Sequence, residues 1–117
     1  MTGGEENGEP RLLYLTTTGR LSGAPREIEI WFTERQGRYY VIAEHGTKAQ
    51  WVQNVMANPE VSFRIGNSSF AGKARVLDAE KDTKLQLVIQ RLSEEKYGWG
   101  DGLVVELIPD LTTEQPA

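Results

Sequence analysis

Residues 16–26 read Thr-Thr-Thr-Gly-Arg-Leu-Ser-Gly-Ala-Pro-Arg, a concentration of groups able to hold an oxyanion. Hydroxyls at Thr16, Thr17, Thr18 and Ser22, backbone amides at Gly19 and Gly23, and guanidinium forks at Arg20 and Arg26 all suit phosphate or carboxylate. From Arg11 to Arg26 there are three arginines and no carboxylate, although the whole chain carries a net charge of −4. Taken alone, the stretch is either an anion-binding turn between strands or a hairpin turn with solvated arginines.

Two further groups of residues invite a chemical reading. His45-Gly46-Thr47-Lys48 is followed closely by Trp51. The Trp51 ring either stacks on a planar ligand or belongs to the apolar stripe of a helix. Lys48 falls in what should be the first turn of that helix, where the dipole disfavours a cation unless an anion binds there. His45 is the only histidine, either a neighbour of a bound ligand or a loop residue without a role. Tyr97 and Trp99 lie among Gly98, Gly100 and Gly102, so a shaped glycine loop presents two aromatics. They form either an acceptor pocket or a hydrophobic lid.

Composition removes several classes of function. With no cysteine there are no disulfides and no thiolate chemistry, and a single histidine excludes a His-rich metal site. The acidic balance argues against a general nucleic-acid binder. No apolar run reaches the length of a membrane span, and the first residues lack the basic and apolar regions of a signal peptide, so a cytoplasmic location is expected. Neither a P-loop nor a G-x-G-x-x-G pattern occurs.

The elements that must position these residues follow from periodicity. Residues 1–10 read as a flexible tail, 11–109 as one domain and 110–117 as a second tail. Residues 11–17 form a strand apolar on both faces, hence central. Residues 26–33 alternate, with Ile28, Ile30 and Phe32 opposite Glu27, Glu29 and Trp31. Residues 38–43 make a third strand, hairpin-linked to the second. Thr47 and Gln50 have the form of a capping box before a helix over 48–57, with Trp51, Val52, Val55 and Met56 as its buried stripe. Strands over 61–65 and 70–77 follow. A helix over 82–95 then buries Leu85, Val88, Ile89 and Leu92, and a last strand covers 103–108. The fold class is mainly β with two helices (α+β): six short strands, most simply protected by closing into a barrel.

Residues 15–26 resemble the T-T-G-R-x-S-G-x-x-R signature of the deazaflavin (F420)-dependent nitroreductase-like group of split β-barrel flavin and deazaflavin oxidoreductases. Residues 39–43, His45-Gly46, Trp51, Asn54 and the run Ala57-Asn58-Pro59-Glu60-Val61 are similar to that group's strand, glycine loop, helix and A-N-P-x-V sequence, in the same order. The resemblance implies a six-stranded split β-barrel of the FMN-binding, pyridoxamine-phosphate-oxidase-like type. It implies an oxidoreductase that binds coenzyme F420, with FMN as the alternative. Hydride would pass from reduced F420 to a small-molecule electron acceptor such as a quinone, nitroaromatic or enone. A non-catalytic F420- or flavin-binding protein and an FMN-dependent member of the superfamily are the other readings.

The residues that match the group's cofactor positions are Thr18, Gly19, Arg20, Ser22, Gly23 and Arg26 for the anionic tail. His45, Gly46, Lys48 and Trp51 match the segment along the ring. Tyr97 and Trp99 are the candidates for the acceptor pocket, and a homodimer is expected from the group. Two departures stand out: Leu21 replaces a common lysine, and Glu44-His45-Gly46-Thr47 replaces a Ser-Lys-Gly-Gly-like loop.

Overall fold

A computed structural model describes residues 12–110. The expected tails over 1–10 and 110–117 lie outside the described residues except for Asp110, whose amide still bonds to the Ala71 carbonyl at 2.9 Å.

The chain begins with the hairpin of β1 (Leu12–Thr18) and β2 (Pro25–Trp31), registered as Leu15 opposite Ile28 and Thr18 opposite Pro25. A short β3 (Thr33–Arg35) then pairs with β4 (Arg38–Ala43). Gln36 and Gly37 between them have φ of 54° and 78°, which fits the two-residue turn whose twist matches paired strands. Helix α1 (Gln50–Ala57), β5 (Glu60–Ile65), β6 (Ser68–Val76), α2 (Thr83–Tyr97) and β7 (Leu103–Pro109) complete the chain.

All seven strands form one antiparallel sheet in the order β2-β1-β5-β6-β7-β4-β3. Its two edge strands, β2 and β3, are consecutive in the chain and joined only through Phe32. A sheet whose edges are one residue apart has to curl round on itself, and this makes the split barrel. Seven strands appear instead of six because the second expected strand breaks at Phe32. The broken ladder is repaired from α2: the Tyr97 hydroxyl accepts from the Phe32 amide at 3.2 Å and donates to the Phe32 carbonyl at 2.7 Å. Lys96 Nζ donates to the same carbonyl at 3.1 Å. The polar groups that leave the sheet are therefore satisfied.

Leu13, Leu15, Val41, Val61, Phe63, Val105 and Leu107 fill the curl, with Val55 of α1 among them. The opposite faces of β4 and β7 present Tyr40, Ile42 and Val104 to α2, which contributes Ile89. This is the strand alternation of period two, with a core on each face. As expected, β1 is central, with β2 on one side and β5 on the other.

Three local expectations change. Met56 is 61 % exposed, and its place on the buried side of α1 is taken by Asn54, which is 4 % exposed. In α2 the buried residues are Ile89 and Ser93, while Val88 points outward, because Ser93 Oγ donates to the Trp99 carbonyl at 2.7 Å and turns that face toward the loop. The helix also runs on to Tyr97 and stops only at Gly98, whose φ of 80° is the left-handed cap conformation.

Candidate functional site

The β1–β2 turn is closed by its own backbone. The Gly19 amide donates to the Ala24 carbonyl at 2.7 Å and the Gly23 amide to the Gly19 carbonyl at 2.8 Å. Ser22 Oγ accepts from the Ala24 amide at 3.1 Å. The two glycine amides thus shape the turn, and Arg20, Ser22 and Arg26 line the cleft beside it. Gly19 is buried, and a Cβ there would meet Ala24 O and Ser22 Oγ at 3.1 Å and Arg26 Nε at 3.3 Å, so a side chain would push against the turn and Arg26.

Asn54 fixes this turn to α1. Its Oδ1 accepts from the Arg20 amide at 3.1 Å and from Arg20 Nη1 at 3.0 Å, and its Nδ2 donates to Thr17 Oγ1 at 3.2 Å. Thr17 is 1 % exposed, so the middle threonine is an internal anchor, whereas Thr18 is half-buried beside it. One helix residue therefore orients the Arg20 guanidinium and the last turn of β1 together. In the sequence Asn54 stands out only as part of a motif; its further signal is an amide on the buried side of a short helix.

A cleft of about 370 Å³ opens against this turn, lined by Arg20, Ser22, Arg26, Asn54, Gln50 and Trp51 among others. On the other side of Trp51 lies a second cleft of about 540 Å³, lined by Trp31, Trp51, Trp99, Ile30, Ile42, Glu29, Glu44 and His45. Half-buried Trp51 is shared by both, so the two clefts adjoin across one indole. The Trp51 ring also packs against the barrel core, so it belongs to the helix stripe and to the clefts alike.

Not every expected residue arrives here. Lys48 lines neither cleft and sits in a 3-10 turn (Gly46–Lys48) ahead of α1, not in its first turn. The capping box does not form. Ala49, extended at ψ 135°, separates that turn from the helix and is itself the N-cap, with no side-chain cap bond. Gln53 Nε2 instead donates to the Thr47 carbonyl at 2.9 Å. Gly46 supplies the left-handed φ of 59° that the turn requires, and His45 stands exposed at the rim, its Nε2 4.0 Å from Glu44 Oε1. Tyr97 and Trp99 take different parts. Trp99 lines the second cleft. Tyr97 does not: its ring stacks on Trp31 at 4.5 Å with planes 4° apart while its hydroxyl braces Phe32. Trp31, which by alternation shares a strand face with Glu27 and Glu29, is the residue this stacking turns into a cleft wall.

Away from the clefts, Glu106 is a buried carboxylate in an otherwise apolar strand. Its Oε2 accepts from Arg38 Nη1 at 3.1 Å and the Tyr40 hydroxyl at 2.9 Å, and its Oε1 from Arg75 Nε at 3.0 Å. Burial alone would raise its pKa; the bonds from Tyr40, Arg75 and Arg38 outweigh burial and hold it below the usual range. Burial, with the bond to Glu106, pushes Tyr40 up to about 12.

The family model of F420H2-dependent quinone reductase matches residues 1–101. The chain belongs to this family. It is similar to a solved F420-H2 dependent reductase (FDR-A) at 26 % identity and a TM-score of 0.61, covering 83 % of this chain and 93 % of that one. It also shares its fold with the heme storage protein HutZ of Vibrio cholerae, at 21 % identity, a TM-score of 0.72 and coverage of 91 % and 86 %. A pyridoxamine 5′-phosphate oxidase-type protein of Listeria innocua is similar at 17 % identity, a TM-score of 0.68 and coverage of 86 % and 84 %. The fold is thus the mainly β, split-barrel type expected from the sequence, and among the described residues no helix is long and apolar enough to cross a membrane.

Proposed function

We propose that this member of the family oxidises reduced F420 at the expense of a quinone, with the cofactor lying along the two clefts that meet at Trp51. The observation that carries the reading is the pairing of a cationic cleft with an aromatic one across a single side chain. F420 has an anionic phosphate and glutamyl tail and a planar ring. Arg20, Arg26 and Ser22 offer charge-assisted donors to the tail, and no carboxylate lines their cleft. Trp51 would flank the ring, and Trp31 and Trp99 would wall the acceptor.

When bound, F420H2 supplies a hydride, which with one proton converts a quinone to its hydroquinone. The protein's part is to hold and to shape. Arg20 is pre-set by Asn54, so little freedom is lost when the tail docks. The indole walls exclude water from the acceptor face and favour planar molecules. No dedicated acid–base pair is required for this division of labour, and His45 is left at the rim of the acceptor cleft.

The test is turnover. Purified protein mixed with F420H2 and menadione should return the fluorescence of oxidised F420 at a rate proportional to enzyme. Nitroaromatics, enones and reduced FMN serve as comparison substrates. Saturable F420 binding without oxidation by any acceptor would instead identify a cofactor carrier.

A further inference from the structure

The two clefts carry opposite charge. Arg20 and Arg26 line the one beside the turn, with no carboxylate among its lining residues. Glu29 and Glu44 line the other, with no lysine or arginine among its lining residues. Trp51 is the divider. Glu29 lies directly opposite Tyr14 in the β1–β2 register, and its hydrogen bond to the Tyr14 hydroxyl is the main cause that raises that phenol's pKa. Arg64 lies over the Tyr14 ring at 4.3 Å and 3.8 Å from Glu27, and it does not line the cleft. His45 stands 4.0 Å from Glu44.

We infer that this polarity is a charge filter: the Trp31–Trp51–Trp99 cleft accepts neutral or cationic planar aromatic molecules and turns away anionic ones, so an anionic-tailed ligand enters the groove in only one direction. The inference rests on the reading above for its role in acceptor choice, but the binding preference belongs to the cleft itself. Aromatic walls provide affinity for any planar ring. Two rim carboxylates act against a negative substituent over a distance that ionic strength controls. For the cofactor, the same field repels the tail from the acceptor side and leaves it to Arg20 and Arg26.

The chain offers its own reporter. It has three tryptophans, Trp31, Trp51 and Trp99, and all three line this cleft. Trp51 also lines the cationic cleft, whereas Trp31 and Trp99 do not, so the titrations are made in the Trp51→Phe background, where quenching of the two remaining tryptophans in the cofactor-free protein reads occupancy of this cleft. The probes are menadione, which is neutral, and 1,4-naphthoquinone-2-sulfonate, of similar ring size and anionic. At an ionic strength of about 0.01 M, where the Debye length is about 30 Å, menadione should bind roughly tenfold more tightly. The preference should shrink toward unity near 1 M salt, where that length is about 3 Å. The double variant Glu29→Gln, Glu44→Gln should tighten sulfonate binding severalfold and leave menadione little changed. Its folding is checked by circular dichroism, with Glu44→Gln alone as the milder variant because Glu44 stands in an exposed loop. Equal affinities for the two quinones at low salt, no quenching by either, or a preference unmoved in both variants would overturn the inference. Failure of the reductase reading would appear separately, as absent F420 turnover, and would leave the quenching result standing.

Discussion

Asn54 is the residue on which the turn depends most. It uses one amide to hold the Arg20 backbone, the Arg20 guanidinium and the Thr17 hydroxyl, all inside a packed helix–strand contact. Asn54→Ala would leave the Thr17 hydroxyl without that partner and the Arg20 fork free to wander. The expected outcome is a stability loss of about 1–3 kcal/mol, from buried hydrogen-bonding groups left unmet, read by urea unfolding. F420 affinity should fall severalfold as well, read by titration at a denaturant-free temperature well below the new melting point. Neither Asn54 nor the spent Gly19 and Gly23 amides could be seen in the residue types. A sequence shows that donors exist, while which of them are already used depends on contacts 34 residues apart, as between Arg20 and Asn54. Arg20, Arg26 and Ser22 were legible as candidates for the anionic tail through resemblance to the family's signature, since charge and turn composition alone left an ordinary hairpin turn equally open.

At the scale of elements, the break at Phe32 links the sheet to the cleft. One α2 residue, Tyr97, closes the Phe32 backbone and at the same time sets the Trp31 ring as a wall. Tyr97→Phe keeps the stacking but removes both bonds to Phe32. A loss of about 1–3 kcal/mol is expected, measured by chemical denaturation, with menadione affinity less affected than by Trp31→Ala. The hydrophobic alternation of residues 26–33 foretold one strand and could not foretell this bend, since Phe32 keeps the inward phase on either side of it. The Glu106 cluster belongs to this scale too, because it ties β4, β6 and the approach to α2, where Arg75 Nη1 also reaches Asp82 at 2.9 Å. A carboxyl held below its usual pKa when folded contributes stability above the unfolded value of about 4.3, and the contribution is lost as pH falls through the folded value. The melting temperature should therefore drop on acidification below about pH 4.5. Glu106→Gln should flatten that slope and cost about 2–3 kcal/mol at neutral pH, less than a fully buried pair, since both arginines are half solvated. Tyr40, raised to about 12, adds a second loss as pH climbs from 10, where the unfolded phenol ionises, toward 12.

The whole molecule is a curled sheet whose two edges meet through one residue, with the two clefts on the flank where the first turn, α1 and the α2–β7 loop converge. The strand runs, the two helices and their order were legible from periodicity and turn residues, because local pattern decides them. The pairing order of the sheet, the burial of Asn54 and the escape of Met56 and Val88 from the core were not, because they depend on which elements come to lie side by side. Lys48 shows the same limit: a capping-box pattern placed it in a helix, and an extended Ala49 placed it outside. With Lys48 away from both clefts and Leu21 90 % exposed at the tip of the turn, Arg20 and Arg26 are the cations that line the cleft proposed for the tail. The direct test is equilibrium titration of the wild-type protein and of Arg26→Ala with oxidised F420, following ring fluorescence. Saturable binding is expected for the wild type and at least tenfold weaker binding for the variant, about the 1.5–3 kcal/mol of a charge-assisted contact, with the fold unchanged. No saturable binding by the wild type, or equal affinity in the two proteins, would contradict the placement of the tail in this cleft.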